Sequence, residues 1–472
     1  MEIRDDALTA ARPLEPDRET MELIGRAALE FAADFIEQRA TAPAAGVDET
    51  AWKLAQHLFV ERPPEEGSDF GDLLGIVDEA AAGSFDTTGP GYMAFIPGGG
   101  LYSAAIASFL ANVTNRFVNL AAPAPAMAAI EASVAAWMCE SFGYGPGSQG
   151  VLTSGGSIAN LSAIVTARTA RLGESFSDGT IYVTEHTHGS VAKAAVVAGF
   201  PRAALRTIAC DERWRMRPDA LEAAVTADRS AGLRPFLVVA SAGTTNTGAV
   251  DPLQEIAVVA AHEDLWFHVD AAYGGFFQLT DRGRRILTGI EVGDTITLDP
   301  HKGLFLPYGC GCLLARDGDA LRRAHQVEAH YLQDLADTRG IPNFTDYSPE
   351  LSRDFRGLRV WLPLHLHGVA AFRRALDEKL DLARVVYEGL EADGRFDVWD
   401  PELSIVPFRL KDRDDAAGRK LLDRINASGR MFLSSTVVDA RFMLRVCVLA
   451  HRTDRERVDE AVEVIRAAAS GL

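Results

Sequence analysis

Residues 294–311 read DTITLDPHKGLFLPYGCG and set one lysine where it could act as a nucleophile. The run Thr295-Ile296-Thr297-Leu298 has the character of a strand, and Asp299-Pro300-His301-Lys302 follows it directly. The glycine and proline of this stretch are read as holding the segment after the strand out of helix. A lysine carried to the end of a buried strand is desolvated, which favours its neutral amine and makes it reactive towards carbonyls through a Schiff base. Taken alone, the tetrapeptide fits an ordinary solvated lysine equally well.

Three other groups could share that chemistry. Thr153-Ser154-Gly155-Gly156-Ser157 follows Val151-Leu152 and opens a helix expected over 158–171. Exposed backbone amides, the Ser157 hydroxyl and the positive end of a helix suit a phosphate, although a plain N-cap with a tight turn fits as well. The pattern matches neither of the common glycine-rich nucleotide loops. In His268-Val269-Asp270-Ala271-Ala272-Tyr273-Gly274-Gly275, an aspartate ends an apolar strand. Burying that carboxylate is costly unless a cation meets it, and a protonated pyridine nitrogen is such a cation. Ala272 leaves room for a flat ring; a capping or metal-binding carboxylate is the other reading, and no companion metal ligands stand nearby in the sequence. The third group, His186-Thr187-His188-Gly189-Ser190, follows the strand-like IYVT at 181–184. An imidazole there could stack on an aromatic cofactor and exchange protons, or be a satisfied structural residue. Lys302 follows Asp270 by 302 − 270 = 32 residues, about one strand-helix-strand unit. Each group is a modest signal, whereas their order at successive strand ends is specific.

The elements that must position them form an α/β pattern. Strand-like runs at 181–184, 236–241, 265–270, 295–298 and 310–315 are apolar throughout and separated by helical stretches. That pattern indicates a mainly parallel sheet covered on both faces, with ligands at the carboxyl ends of its strands. Before it, residues 18–39 carry Ile24, Ala28, Phe31 and Phe35 at helical spacing, and residues 1–84 form an N-terminal helical segment expected to pack on another subunit or on the main domain. Residues 85–360 are read as the large domain, with the polar stretch 316–360 as a mobile active-site loop or a solvated surface. Residues 361–472 are read as a small α+β domain with a helix over 361–390, strands near 404–410 and 441–448, and helices near 415–427 and 454–469.

Composition removes several function classes. The chain has 472 residues and a formal charge of −19, a balance that repels nucleic acid and anionic membranes. Five cysteines without disulfide-like density read as reduced thiols, and Cys310-x-Cys312 lacks the second pair that a metal site needs. The polar start and the absence of a long apolar run give the expectation of a cytoplasmic protein.

Together, VLTSGGSIANLSAI, TEHTHGSVAKAA, SAGTTNTGAVDPL, FHVDAAYGG and LDPHKGLFLPYG resemble the group II pyridoxal-phosphate-dependent decarboxylases, which include aromatic-L-amino-acid and glutamate decarboxylases. The resemblance covers roughly 85–360 well and the ends more loosely. It implies the fold type I, aspartate-aminotransferase-like scaffold with a seven-stranded sheet, and pyridoxal 5'-phosphate as cofactor. It also implies that Lys302 forms the internal Schiff base, that His188 stacks on the ring with Ala272 beneath it, and that Asp270 pairs with the pyridine nitrogen. Gly155, Gly156, Ser157 and His301 would surround the phosphate, with Thr245 near the ring oxygen. In the family's aromatic branch a loop tyrosine supplies a proton, often to the partner subunit's site, and Thr345-Asp346-Tyr347 is similar to that position. Phe95-Ile96-Pro97-Gly98, with Phe117 and Asn119, stands where the family's substrate pocket is expected and is more polar than in the animal enzymes. The reading that results is decarboxylation of an L-amino acid, an aromatic one favoured, to amine and CO₂ in a homodimer with interfacial sites. The alternatives are an aldehyde synthase, a carbon-carbon lyase and a non-catalytic phosphate-binding protein.

Overall fold

The computed structural model describes residues 14–326 and 338–472. The chain forms two compact units that part between Gly89 and Pro90.

In the first unit, the helices Arg18–Gln38, Glu49–Val60 and Phe70–Ala82 each begin at an aspartate. Asp17, Asp48 and Asp69 accept first-turn N–H groups, the usual remedy for amides that lack a helical partner. Not one residue of these three helices is buried, so their apolar faces, with Trp52, Phe59 and Val77, remain exposed. The expected helix over 18–39 is the first of them.

The second unit is built on a seven-stranded sheet: β1 (Gln149–Thr153), β2 (Gly179–Thr184), β3 (Leu205–Ile208), β4 (Arg234–Ser241), β5 (Trp266–Asp270), β6 (Thr295–Leu298) and β7 (Gly311–Ala315). Their order is β1-β7-β6-β5-β4-β2-β3. β7 runs antiparallel to both of its neighbours, and the other pairs are parallel. β2 and β5 are buried along their whole length, as continuous apolar runs require of strands covered on both faces. The register sets Ser241 beside Asp270 and Asp270 beside Thr297, so three carboxyl ends lie abreast. Helices fill the crossovers, among them Gly156–Arg171 between β1 and β2.

A second sheet, β8 (Phe396–Val398), β9 (Ile405–Leu410), β10 (Ser434–Val438) and β11 (Arg441–Cys447), is antiparallel in the order β10-β11-β9-β8. The single helix expected over 361–390 is two, Arg356–His367 and Val369–Glu391, broken at Gly368 with φ 75°. The second sheet is tied back to the first: the Tyr273 hydroxyl meets Ser404 Oγ at 2.8 Å and accepts the Ser404 N–H at 2.9 Å. No helix among the described residues is long and apolar enough to cross a membrane.

Candidate active site

The carboxyl ends of the sheet open into a cavity of about 280 Å³. Its wall includes Gly155, Gly156 and Ser157, His188, Thr245, Asp270 and Ala272, and His301 with Lys302. The expected cofactor-binding residues are therefore brought to one place, whereas Tyr347 and the expected substrate-pocket residues are not on this wall.

Lys302 does not extend from the strand as expected. Pro300 occupies the first helical position, where its missing N–H costs nothing, and starts the short turn Pro300–Gly303. That turn carries Nζ back to Asp299 Oδ2 at 2.8 Å. The expectation of a lone desolvated amine gives way to an ion pair, with Asp299 buried and Lys302 19% exposed on its side chain. Asp299 Oδ1 has no hydrogen-bond partner among the described residues. His301 donates from Nδ1 to the Cys310 carbonyl at 2.7 Å, and burial lowers its pKa. A strap formed by Gly99 and Gly100 holds this turn, Gly99 N–H donating to the His301 carbonyl and Gly100 N–H to that of Phe305. A Cβ at Gly99 would fall 1.8 Å from the Phe305 carbonyl, so the approach requires glycine.

Asp270 owes its geometry to a residue that the sequence reading did not single out. Asn160, on the first turns of Gly156–Arg171, donates from Nδ2 to Asp270 Oδ2 at 3.0 Å and to Ser190 Oγ at 2.9 Å. Its Oδ1 accepts from His268 Nε2 at 3.0 Å. His268 Nδ1 faces the Thr295 hydroxyl at 2.9 Å, and burial drives this imidazole down to about 4, so it is neutral with its proton on Nε2. Ser190 completes the chain: its N–H and hydroxyl both meet His188 Nδ1, at 3.2 and 2.7 Å. His188 Nδ1 is therefore an acceptor, which leaves the ring proton on Nε2. One connected network thus fixes both Asp270 and His188. The motif repeat of small residues at 153–157 drew attention to the loop and hid the side chain one turn further on.

Tyr347 lies elsewhere. It is half-buried against the cluster of Val151, Ala159, Leu313 and Phe344, and burial raises its phenol pKa. Its segment is fastened by Asn343, whose Oδ1 accepts the Ala121 N–H, and by the fully buried pair of Arg353 and Glu131 at 2.6 Å. In its own chain Tyr347 is not on the cavity wall, because the sheet edge offers its ring apolar cover. Phe95, Phe117 and Asn119 do not line the cavity either; Phe95 and Phe117 are exposed and Asn119 is buried. Residues 327–337 of the expected loop 316–360 lie outside the described residues.

These residues fit a flat phosphate-bearing cofactor. No side chain caps the helix Gly156–Arg171, which leaves first-turn amides for an anion. A Cβ on Gly156 would crowd Asp299 and Ala272 at 3.1 and 3.3 Å, narrowing the cavity. The unpartnered Asp299 Oδ1 and the buried Asp270 carboxylate provide acceptors for a protonated ring and amine. Fold and site together define an α/β protein whose cavity at the strand ends of its main sheet suits a flat, phosphate-bearing cofactor.

Comparison with known proteins makes this specific. The sequence pattern described as "Pyridoxal-dependent decarboxylase conserved domain" matches residues 56–411. An aromatic-L-amino-acid decarboxylase of Bacillus atrophaeus is 34% identical over 467 residues, covering 97% of each chain. Tryptophan decarboxylase 2 of Oryza sativa subsp. japonica is 28% identical over 480 residues, 96% of this chain and 95% of the relative. The crystal structure of Oryza sativa TDC with PLP and tryptamine superposes with a TM-score of 0.91 at 28% identity, covering 98% of this chain and 99% of that one. The chain belongs to the pyridoxal-dependent decarboxylase family and is a carboxy-lyase that uses pyridoxal 5'-phosphate.

Proposed function

We propose that this enzyme decarboxylates an aromatic L-amino acid, with Lys302 as the residue that attaches the cofactor. When bound, pyridoxal phosphate supplies an electron sink for the charge left on Cα as CO₂ departs. In the proposal Gly155, with the first-turn amides of Gly156 and Ser157 and with His301, would surround the phosphate. Asp270, oriented by Asn160 and by the Ala272 N–H at 3.2 Å, keeps a proton on the ring nitrogen. His188 and Ala272 would flank the ring, His188 with its Nε2–H available as a donor, and Thr245 would face the ring oxygen. Asp299 Oδ2, 2.8 Å from Lys302 Nζ, fixes the direction in which that amine faces the cavity.

The observation that carries the substrate class is the charge of the wall: apart from histidine, Lys302 is its only basic side chain among the described residues. A second carboxylate on the substrate would find no arginine there, whereas an aromatic side chain needs none. The aromatic substrates of the relatives named above support the same choice. A panel of aromatic and acidic L-amino acids, assayed for CO₂ and amine, tests this. Faster turnover of an acidic substrate would overturn the aromatic reading, and ammonia with peroxide in place of amine would indicate an aldehyde synthase. Lys302→Ala should abolish the yellow colour of the purified protein.

We also propose a homodimer with active sites at the interface, residues 85–360 as cofactor domain, 361–472 as small domain and a cytoplasmic location. Support for the dimer comes from the helices before residue 84, which bury none of their own residues, and from exposed Phe109, Val113 and Phe117. Five free cysteines agree with a reducing compartment. Sedimentation of the purified protein decides the oligomeric state: a monomer that turns over substrate would refute the interfacial site. Fractionation of the source cells tests the location.

A further inference from the structure

His186 has no part in the chemistry above, yet it is 3% exposed and neither of its ring nitrogens meets a hydrogen-bond partner among the described residues. A neutral imidazole always carries one donor and one acceptor, so leaving both empty in the interior is unfavourable unless something else binds there. The register explains what stands next to it. β2 and β3 run parallel with Thr184 opposite Ile208; past that pair the chain turns at Glu185 and His186, while Ala209 leads to Cys210, which bridges to Met216. Ligand atoms of Glu185, His186 and Cys210 all lie within 4.8 Å of one another. The charges that act on the cluster are carboxylates: Glu185 and Asp439 on the His186 ring, and Asp251, Glu185 and Asp211 on the Cys210 thiol.

We propose that Glu185, His186 and Cys210 form a binding site for a zinc-class divalent cation at the carboxyl ends of β2 and β3. An imidazole nitrogen, a thiolate and a carboxylate oxygen suit a borderline-soft ion, whereas magnesium and calcium prefer oxygen alone. Three protein donors leave one position of a tetrahedron for water, and Glu185, which is exposed, gives the ion a path in. The Cys210 thiol releases its proton to solvent as the ion binds. The site fastens the segment 184–188, which ends in His188, so the cation would steady the stretch that delivers that ring to the cavity.

Of the five cysteines, four are buried and Cys210 is half-buried, so the rate at which a disulfide reagent labels the native protein reports on Cys210. The test is equilibrium dialysis of tag-free holoenzyme against zinc chloride, with labelling rates measured in parallel. One zinc per chain is expected, together with slower labelling at saturation. Cys210→Ser and His186→Ala should each weaken binding by about tenfold or more while the cofactor colour is kept. Should the buried His186→Ala fail to fold, Cys210→Ser decides alone. Absence of saturable binding, or unchanged affinity in Cys210→Ser, would overturn the proposal. So would loss of binding in His262→Ala only, which would move the ion to the group of Glu222, His262 and Glu263.

Discussion

Replacing Asn160 by leucine, which has a similar volume, removes three hydrogen bonds at once: those to Asp270 Oδ2, to Ser190 Oγ and from His268 Nε2. Ser190 keeps its contact with His188, so the cost falls mainly on two groups, the His268 N–H, left with a long 3.5 Å contact to the Thr297 hydroxyl, and the Asp270 oxygen. Both are buried, and a buried polar group without a partner costs about 2 kcal/mol, which puts the gross loss near 4 kcal/mol. The apolar leucine returns roughly 1 kcal/mol, which leaves a net destabilisation of about 3 kcal/mol. Urea unfolding of the cofactor-free protein measures it. Adding His268→Leu removes the orphaned donor as well, so the double variant should be less destabilised than the sum of the singles by about 1 kcal/mol or more. A loss below about 1 kcal/mol for Asn160→Leu, with additive behaviour in the double variant, would show that the network is not formed as described.

Asp251 predicts an unusual pH dependence: burial pushes its carboxyl up to about 6 although it accepts the Met216 and Ser241 N–H groups. The native state holds that proton between 3.8 and about 6, where the unfolded state has lost it, so its stability relative to Asp251→Asn should fall as pH rises through the window, by on the order of 3 kcal/mol. Urea midpoints of both proteins across that window check the sign, and a constant difference would refute it. Tyr347→Phe should lower kcat by about 100-fold, its phenol serving as proton donor to the partner subunit's cavity in the proposed dimer; a kcat within about threefold of the parent would refute that role. Arg353→Met strands the buried Glu131 carboxylate and should cost about 3–5 kcal/mol in thermal or urea unfolding, whereas a near-neutral result would mean that water reaches the pair.

The positions of Lys302, Asp270 and His188 could be read from the sequence because a parallel sheet repeats a simple rule, in which each apolar run ends where ligands bind. Their supports could not. Asn160 reaches Asp270 across 110 residues of sequence, and nothing in SIANLSAI marks its amide as more than a helix-face polar group. Asp299 was in view as part of DPHK, but its pairing with Lys302 depends on a helical turn that Pro300 begins and that a strand-end reading excluded. Tyr347 is a different case. A motif-like Thr-Asp-Tyr stood out locally, while the packing that takes its ring to the sheet edge depends on Ala159, Leu313 and Phe344 from three separate segments. The strands β8 and β10 escaped because they are short and half-exposed, with little apolar signal.

The contact between Tyr273 and Ser404 bears on the order of events during synthesis. Tyr273 follows Ala272 on the cavity wall, and its partner is made more than a hundred residues later. A ribosome that has translated the whole main sheet has therefore not yet released the chain segment that steadies this loop. The expected consequence is that stable cofactor capture follows docking of the small sheet. Stalled chains ending before Ser404 should fail to retain pyridoxal phosphate where chains of full length hold it, and equal retention would argue that the loop stands on its own.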